Sequence, residues 1–143
     1  MFIYYYVIVT YMVVRLIYDF EDDPRECKAH KKMVKNLENM LLKNPDQIKE
    51  YIPAFIGEAE LMRVMAEDDV TNKTSDGDIV FRDTATGKLF VIECKTYDAD
   101  PTFVEWQTRP LTGALKRKYG VGVNAYYAKI RDEELDIRFM YDR

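Results

Sequence analysis

The stretch that decides the fold is DGDIVFRDTATGKLFVIECK, residues 76–95. It holds two runs rich in β-branched and aromatic residues, Asp78–Arg82 and Lys88–Lys95, which is the composition of β-strands. The loop between them ends in Thr86-Gly87, a turn-forming pair. The pattern therefore predicts two consecutive strands that can pair as a hairpin.

The second of these strands ends in two charged residues on one face. Because alternate side chains of a strand share a face, Glu93 and Lys95 point the same way and Cys94 points the other way. Charged groups at the end of an apolar strand are costly unless something compensates them, and a divalent cation would do so. Asp78 lies opposite this pair if the two runs form a hairpin. A solvated edge strand with an ion pair, and a turn role for Asp78, are the alternatives.

Upstream of the hairpin, the sequence predicts two helices. The first carries an apolar stripe at helical spacing, made of Met33, Val34, Leu37, Met40 and Leu41. Asn44-Pro45 ends this helix, because proline bars the residue before it from helical geometry. The second helix is predicted over Ala54–Ala66, and there Glu58 falls inside the apolar sector. A simple pairing or capping role is the alternative for Glu58.

Downstream of the hairpin, the pattern predicts one helix and two strands. Phe103–Tyr119 is typical of a helix that is interrupted or restarted near Pro110, with Gly120 as its C-cap. Val121–Ile130 and Leu135–Tyr141 follow as strands.

The first residues form an uncharged run, MFIYYYVIVTYMVV, residues 1–14. This run is shorter than the roughly 20 apolar residues that a spanning helix needs, and its composition favours a buried or swapped strand. A membrane anchor is one alternative, although membrane association is not expected. The other is an upstream start-codon artefact, with Met12 as the true start.

Composition narrows the class of protein. The net charge of −4 argues against a protein that coats nucleic acid non-specifically, but local basic patches remain compatible with phosphate binding. Cys27 and Cys94 are too few for a disulfide scaffold or a cysteine-ligated zinc site, which indicates a soluble, intracellular protein. His30, the only histidine, is expected on an exposed helix face.

The charged constellation resembles the PD-(D/E)XK nuclease superfamily, most nearly archaeal Holliday-junction resolvases and small viral nucleases. Asp78 matches its first acid, and Glu93-Cys94-Lys95 matches its acid-X-lysine triplet. Gly77 stands where a proline often precedes the first acid. Glu58 matches the glutamate of an upstream helix in that superfamily, and Gln107 matches, weakly, a glutamine on a later helix.

The resemblance implies an α/β fold with a restriction-endonuclease-like αβββαβ core and a mixed central sheet. Residues 1–143 would form one domain, with residues 1–52 as an added N-terminal strand and helix and residues 53–143 as the catalytic core. Asp78, Glu93, Glu58 and the Cys94 carbonyl would hold Mg²⁺, for which Mn²⁺ would substitute. The cation would activate water and polarise the scissile phosphate of DNA, and Lys95 would orient the water or stabilise the transition state. A homodimer is implied, because two symmetric nicks need two sites.

Two basic clusters are candidates for contacting nucleic acid. Lys28, Lys31, Lys32 and Lys35 repeat along one face of the first helix. Arg109, Lys116, Arg117 and Lys118 lie on the later helix, which also carries Gln107. A solvated helix face is the alternative for both clusters. The rival functions are a non-catalytic nucleic-acid-binding or interaction module that retains the fold, and a membrane-associated protein tethered by residues 1–18.

Overall fold

The computed structural model describes residues 24–62, 78–131 and 133–143, without the side chains of residues 24–27, 78 and 131. The elements of these residues are, in order, α1 (Pro24–Lys43), α2 (Pro45–Lys49), β1 (Ala59–Met62), β2 (Asp78–Asp83), β3 (Leu89–Lys95), α3 (Pro101–Tyr119), β4 (Val123–Arg131) and β5 (Glu134–Asp142). The strand predicted in residues 1–14 and the rival role of residues 1–18 as a tether lie outside the described residues. Within the described residues, each helix is too short or too polar to cross a bilayer.

The five strands form one mixed sheet in the order β1-β2-β3-β4-β5. Neighbouring strands are antiparallel except β3 and β4, which are parallel and are joined by α3. A parallel pair needs a crossover connection, and a helix is the usual one. The predicted hairpin of β2 and β3 and the α/β class are therefore confirmed.

Helix α1 packs on one face of the sheet with the apolar stripe that the sequence predicts. Met33, Leu37 and Leu41 are buried there. Beneath them, Phe81 stacks on Phe90 with ring centroids 5.0 Å apart, and Phe55 meets Phe81 edge-on at the same distance. Such aromatic pairs add about 0.5–1.5 kcal/mol each beyond the apolar area that they bury. The aromatic contacts thus join β2, β3 and the loop before β1 beneath α1.

Helix α3 covers the other face and runs without a break through Pro110, so the predicted interruption is wrong. Leu115 packs among buried residues of β2, β3 and β4, and Leu111 packs against the same cluster. Pro110 lies on the exposed side of α3, where water can hydrate the carbonyl that lacks its usual helical donor. Gly120 ends the helix in the left-handed conformation, as predicted (φ 66°).

The helix predicted over Ala54–Ala66 is wrong, because residues 59–62 form strand β1 at the edge of the sheet. The loop before β1 is fixed by Asp83, whose fully buried carboxylate accepts hydrogen bonds from the amides of Ile56 (2.9 Å), Gly57 (2.9 Å) and Ala85 (2.8 Å). This anchor directs the chain into pairing with β2. The Asp83 contacts therefore override the helical propensity of the segment.

Candidate functional site

The charged residues of the predicted cleavage site, Asp78, Glu93 and Lys95, lie at the carboxyl end of β3. In the antiparallel ladder of β2 and β3, Asp78 is paired directly with Glu93. On the other side of β3, the parallel ladder pairs Glu93 with Tyr127 and Lys95 with Lys129. Directly paired residues are neighbours on one face of a sheet. The backbone therefore places Asp78 next to Glu93, while the side chain of Asp78 lies outside the described part.

Glu93 and Lys95 form a largely buried ion pair on the face that α3 covers. Lys95 Nζ lies 3.5 Å from Glu93 Oε2, and the two side chains are 11% and 6% exposed. The ammonium also lies 5.9 Å from the centre of the Tyr97 ring. Burying two charges costs several kcal/mol each, which their attraction only partly returns. A buried pair of this kind at the end of a strand is more readily explained by function than by stability.

The donor atoms at this end of β3 suit a hard divalent cation. Glu93 supplies a buried carboxylate, and Asp78 supplies a second acidic residue at the paired position of the neighbouring strand. Carboxylate oxygens are the ligands that Mg²⁺ takes from proteins, usually one or two per ion, with water completing its shell. Among the side chains that the structure describes, no group of three His, Cys, Asp or Glu residues could hold a metal ion.

The Cys94 carbonyl stays a predicted ligand, and its thiol is not a candidate. The Cys94 side chain is buried on the α1 face, among Phe90 and Ile92, and so lies on the side of the sheet away from Glu93. Its carbonyl oxygen is 3.1 Å from His30 Nε2, so a metal would share that oxygen with the imidazole. His30 is half-buried in this contact, and its predicted exposure is wrong.

Glu58 does not reach the candidate site. It is exposed in the loop before β1, where its backbone exchanges hydrogen bonds with Thr84: its amide donates to Oγ1 (3.0 Å) and its carbonyl accepts from the amide (2.9 Å). Thr84 follows the far end of β2, six residues beyond Asp78. At about 3.3 Å per strand residue, Glu58 lies about 20 Å from Glu93. Its predicted place in an apolar helical sector fails together with the helix.

Gln107 lies on the face of α3 that approaches the sheet. It stands one turn after Val104 and one turn before Leu111, both of which pack toward the strands. Its Oε1 atom is buried and accepts no hydrogen bond from the described residues. A buried acceptor without a donor costs about 1–3 kcal/mol, so water or a ligand is expected to satisfy it.

The two basic clusters lie at different ends of the sheet. The first half of α1 lies at the site end, because His30 contacts Cys94 there. The four lysines near it are all exposed: Lys28, Lys31, Lys32 and Lys35. Lys116 instead lies at the far end, where its ammonium is 3.4 Å from the carbonyl of Arg143.

The rest of the second cluster is also separated from the site. Arg117 and Lys118 are exposed in the last turn of α3, next to Lys116. Arg109 is engaged nearer the middle of the helix, where it pairs with Glu105 and stacks over the Tyr141 ring at 4.4 Å. The prediction that these residues contact nucleic acid stays a prediction, for a surface that is separate from the site end of the sheet.

Lys129, which was not among the residues predicted from the sequence, stands beside Lys95 in the parallel ladder. It is 6% exposed, and its ammonium is 2.7 Å from Asp98 Oδ1. The available signal was a lysine inside an apolar run, VNAYYAKIR, which is as unusual as the lysine that ends β3. Comparison of the chain with family models, with curated proteins and with solved structures found no match.

Proposed function

We propose that this chain is a metal-dependent nuclease of the PD-(D/E)XK type, acting on DNA. The observation that carries the proposal is the strand register, which pairs Asp78 with Glu93 and sets Lys95 two residues further along the same face. This is the arrangement that the sequence motif requires. It arises here between neighbouring strands, at the ends that meet at one edge of the sheet.

The order of the elements supports the same proposal. Helix α1 comes first, and strands β1, β2 and β3 follow as an antiparallel meander. Helix α3 then crosses over to β4, which is parallel to β3. This order matches the αβββαβ core that the resemblance implies, with β5 added at one edge. Helix α1, which the sequence analysis assigned to the N-terminal extension, would take the place of the helix predicted over Ala54–Ala66. Strand β1 supplies the member of the meander that the sequence pattern alone did not reveal.

The chemistry follows from what each residue can do. Asp78 and Glu93 would hold the cation, which supplies charge to polarise the scissile phosphate and to activate the attacking water. Lys95 keeps its ammonium beside Glu93, where it can orient that water or stabilise the charge of the transition state. The exposed lysines of α1 lie at the same end of the sheet and give the phosphate backbone a basic surface.

The test is cleavage of linear duplex, single-stranded and four-way-junction DNA, with a matched RNA, in Mg²⁺, Mn²⁺ or EDTA. We expect cleavage only with the cations. Glu93→Gln and Lys95→Met should each lower the rate by at least about 10²-fold, since each removes a charge that acts in the transition state. Symmetric cleavage of the junction by a dimeric protein would identify the substrate class as branched DNA.

Two variants serve as matched controls. Glu60→Gln removes an exposed glutamate of β1, and Lys88→Met removes an exposed lysine from the turn before β3. Both should cleave at the wild-type rate. Cleavage in EDTA, or undiminished cleavage by Glu93→Gln and Lys95→Met, would contradict the proposal. Metal-dependent binding without cleavage would favour the rival function, a binding module that retains the fold.

A further inference from the structure

Lys129 forms an ion pair of unequal burial at the site end of β4. The lysine side chain is 7% exposed, whereas its partner Asp98 is 72% exposed, and the two are 2.7 Å apart. The ammonium also lies 5.8 Å from the centre of the Tyr127 ring. An ammonium carries three donors, and the contacts within the described residues occupy only part of them. The Asp98 carboxylate is thus the hydrogen-bonding partner of Lys129 within the described residues, and it is itself largely exposed to solvent.

The ion pair is not needed to hold the loop on which Asp98 lies. The Tyr127 hydroxyl accepts a hydrogen bond from the Ala99 amide (3.1 Å) and lies 3.4 Å from the carbonyls of both Tyr97 and Ala99. The residues on both sides of Asp98 are thus anchored by a different side chain. The hydrogen bonds that hold Tyr97 and Ala99 do not involve Asp98, so separation of Asp98 from Lys129 would leave them in place.

Lys129 and Lys95 are neighbours on the sheet. They are paired in the parallel ladder, and adjacent strands are about 4.8 Å apart. In open α/β sheets, ligands bind beyond the carboxyl ends of the parallel strands, which is where these two lysines lie. Two lysines at paired positions of this edge, one of them ion-paired with a largely exposed carboxylate, offer positive charge to a polyanion.

We propose that Lys129 binds a backbone phosphate next to the scissile one, and that Asp98 occupies Lys129 until the nucleic acid displaces it. This inference rests on the proposed nuclease function, which assigns the scissile phosphate to the end of β3. It makes the substrate a strand with consecutive phosphates, in preference to a mononucleotide or an isolated phosphodiester. Lys129 is a substrate-binding residue in this scheme, and Asp98 is a competing anion.

The experiment measures binding of a fluorescein-labelled DNA duplex by fluorescence anisotropy, in Ca²⁺ and again in EDTA, over a range of salt concentrations. Lys129→Met should raise Kd about tenfold and lower the slope of log K against log salt by about one, because one phosphate contact is lost. Lys129→Arg should stay within about threefold of the wild type, since it keeps the charge. Asp98→Asn should tighten binding by about two- to fivefold, since the competing anion is removed.

The outcomes separate this inference from the proposed function. Lys88→Met is the matched control and should leave Kd and slope unchanged, because that lysine lies at the other end of β3. If Lys129→Met has the same Kd and slope as this control while the wild type binds and cleaves DNA, the inference is overturned and the proposed nuclease function is retained. If Asp98→Asn weakens binding as Lys129→Met does, the pair is structural. If Lys129→Met does not fold, the exposed Asp98→Asn variant decides alone, and a wild type that neither binds nor cleaves overturns both proposals.

Discussion

Replacement of Asp83 by asparagine should destabilise the protein by an amount that its hydrogen bonds determine. Three backbone amides donate to the carboxylate, and a hydrogen bond to a charged acceptor is worth about 1.5–3 kcal/mol. In Asp83→Asn one oxygen becomes an NH₂ group, so one amide loses its acceptor. The other two keep a neutral acceptor, worth about 0.5–1.5 kcal/mol each.

The expected loss is about 3 kcal/mol, because water recovers part of the cost at amides that are only partly buried. For a chain of 143 residues, the entropy of unfolding is about 0.3 kcal/mol per kelvin, so Tm should fall by about 10 °C. Urea unfolding followed by circular dichroism measures the free energy, and the same signal on heating measures Tm. Asp46→Asn is the control: its side chain is 89% exposed, and it should change the free energy by less than about 1 kcal/mol.

The dependence on pH tests the charge itself. Burial raises the pKa of Asp83, but its hydrogen bonds with the backbone and with Thr86 lower that pKa by more, so the carboxyl titrates below its ordinary value. A group with a depressed pKa stabilises the fold fully above the unfolded pKa of about 3.9 and loses that effect as the pH falls through the folded pKa. The difference in the free energy of unfolding between the wild type and Asp83→Asn should therefore be constant from about pH 5 to 7 and shrink below about pH 4. A gap under about 1 kcal/mol at neutral pH, or one that persists unchanged in acid, would refute the reasoning.

Three further substitutions test the packing of the fold away from the candidate site. Gly57→Ala should lower the free energy of unfolding by more than about 2 kcal/mol, because a Cβ there would collide with Asp83 Oδ1 and lie 2.7 Å from the Ala85 amide. A variant as stable as the wild type would contradict this. Phe90→Ala should lower the free energy of unfolding in urea by about 3–5 kcal/mol, since it removes the ring that contacts Phe55 and Phe81. A loss below about 1 kcal/mol would argue against that packing. Tyr141→Phe should cost about 1–2 kcal/mol in the same assay, because its hydroxyl lies 2.6 and 3.1 Å from the hydroxyls of two buried threonines of α3; no change in the unfolding midpoint would be the contrary result.

The hairpin and its charged end could be predicted because their determinants are local. The alternation of apolar side chains and the turn at Thr86-Gly87 are visible within residues 76–95, and the face shared by Glu93 and Lys95 follows from strand geometry alone. The register of Asp78 with Glu93 then depends only on the length of the turn. The structure confirms this pairing of the backbone.

Strand β1 could not be predicted, because its determinants are distant in sequence. The segment Ala59–Met62 consists of residues that favour helices, and taken alone it predicts one. Its strand conformation depends on pairing with β2 and on the Asp83 carboxylate, which lies 26 residues from Gly57. Tertiary contacts of this range override local propensity. The role expected of Glu58 at the metal site depended on the predicted helix, so it fails as well.

The neighbourhood of Lys129 was hidden for a similar reason. A lysine within an apolar strand is visible in the sequence, but its position beside Lys95 depends on which strands become neighbours. That choice is made by the α3 crossover, which sets β4 parallel to β3. Sequence spacing between Lys95 and Lys129 carries no sign of it.

Strand β3 has hydrogen-bonded neighbours on both sides and helices over both faces, and all of its side chains but the last are buried. Amide hydrogens in such a strand exchange with solvent only when the whole domain opens, whereas those of an edge strand such as β1 exchange through local fraying. The backbone that carries Glu93 and Lys95 should thus be the slowest-exchanging part of the sheet. If the proposed function holds, the geometry of these two side chains would persist between encounters with substrate, and the strand would not have to reform before each one.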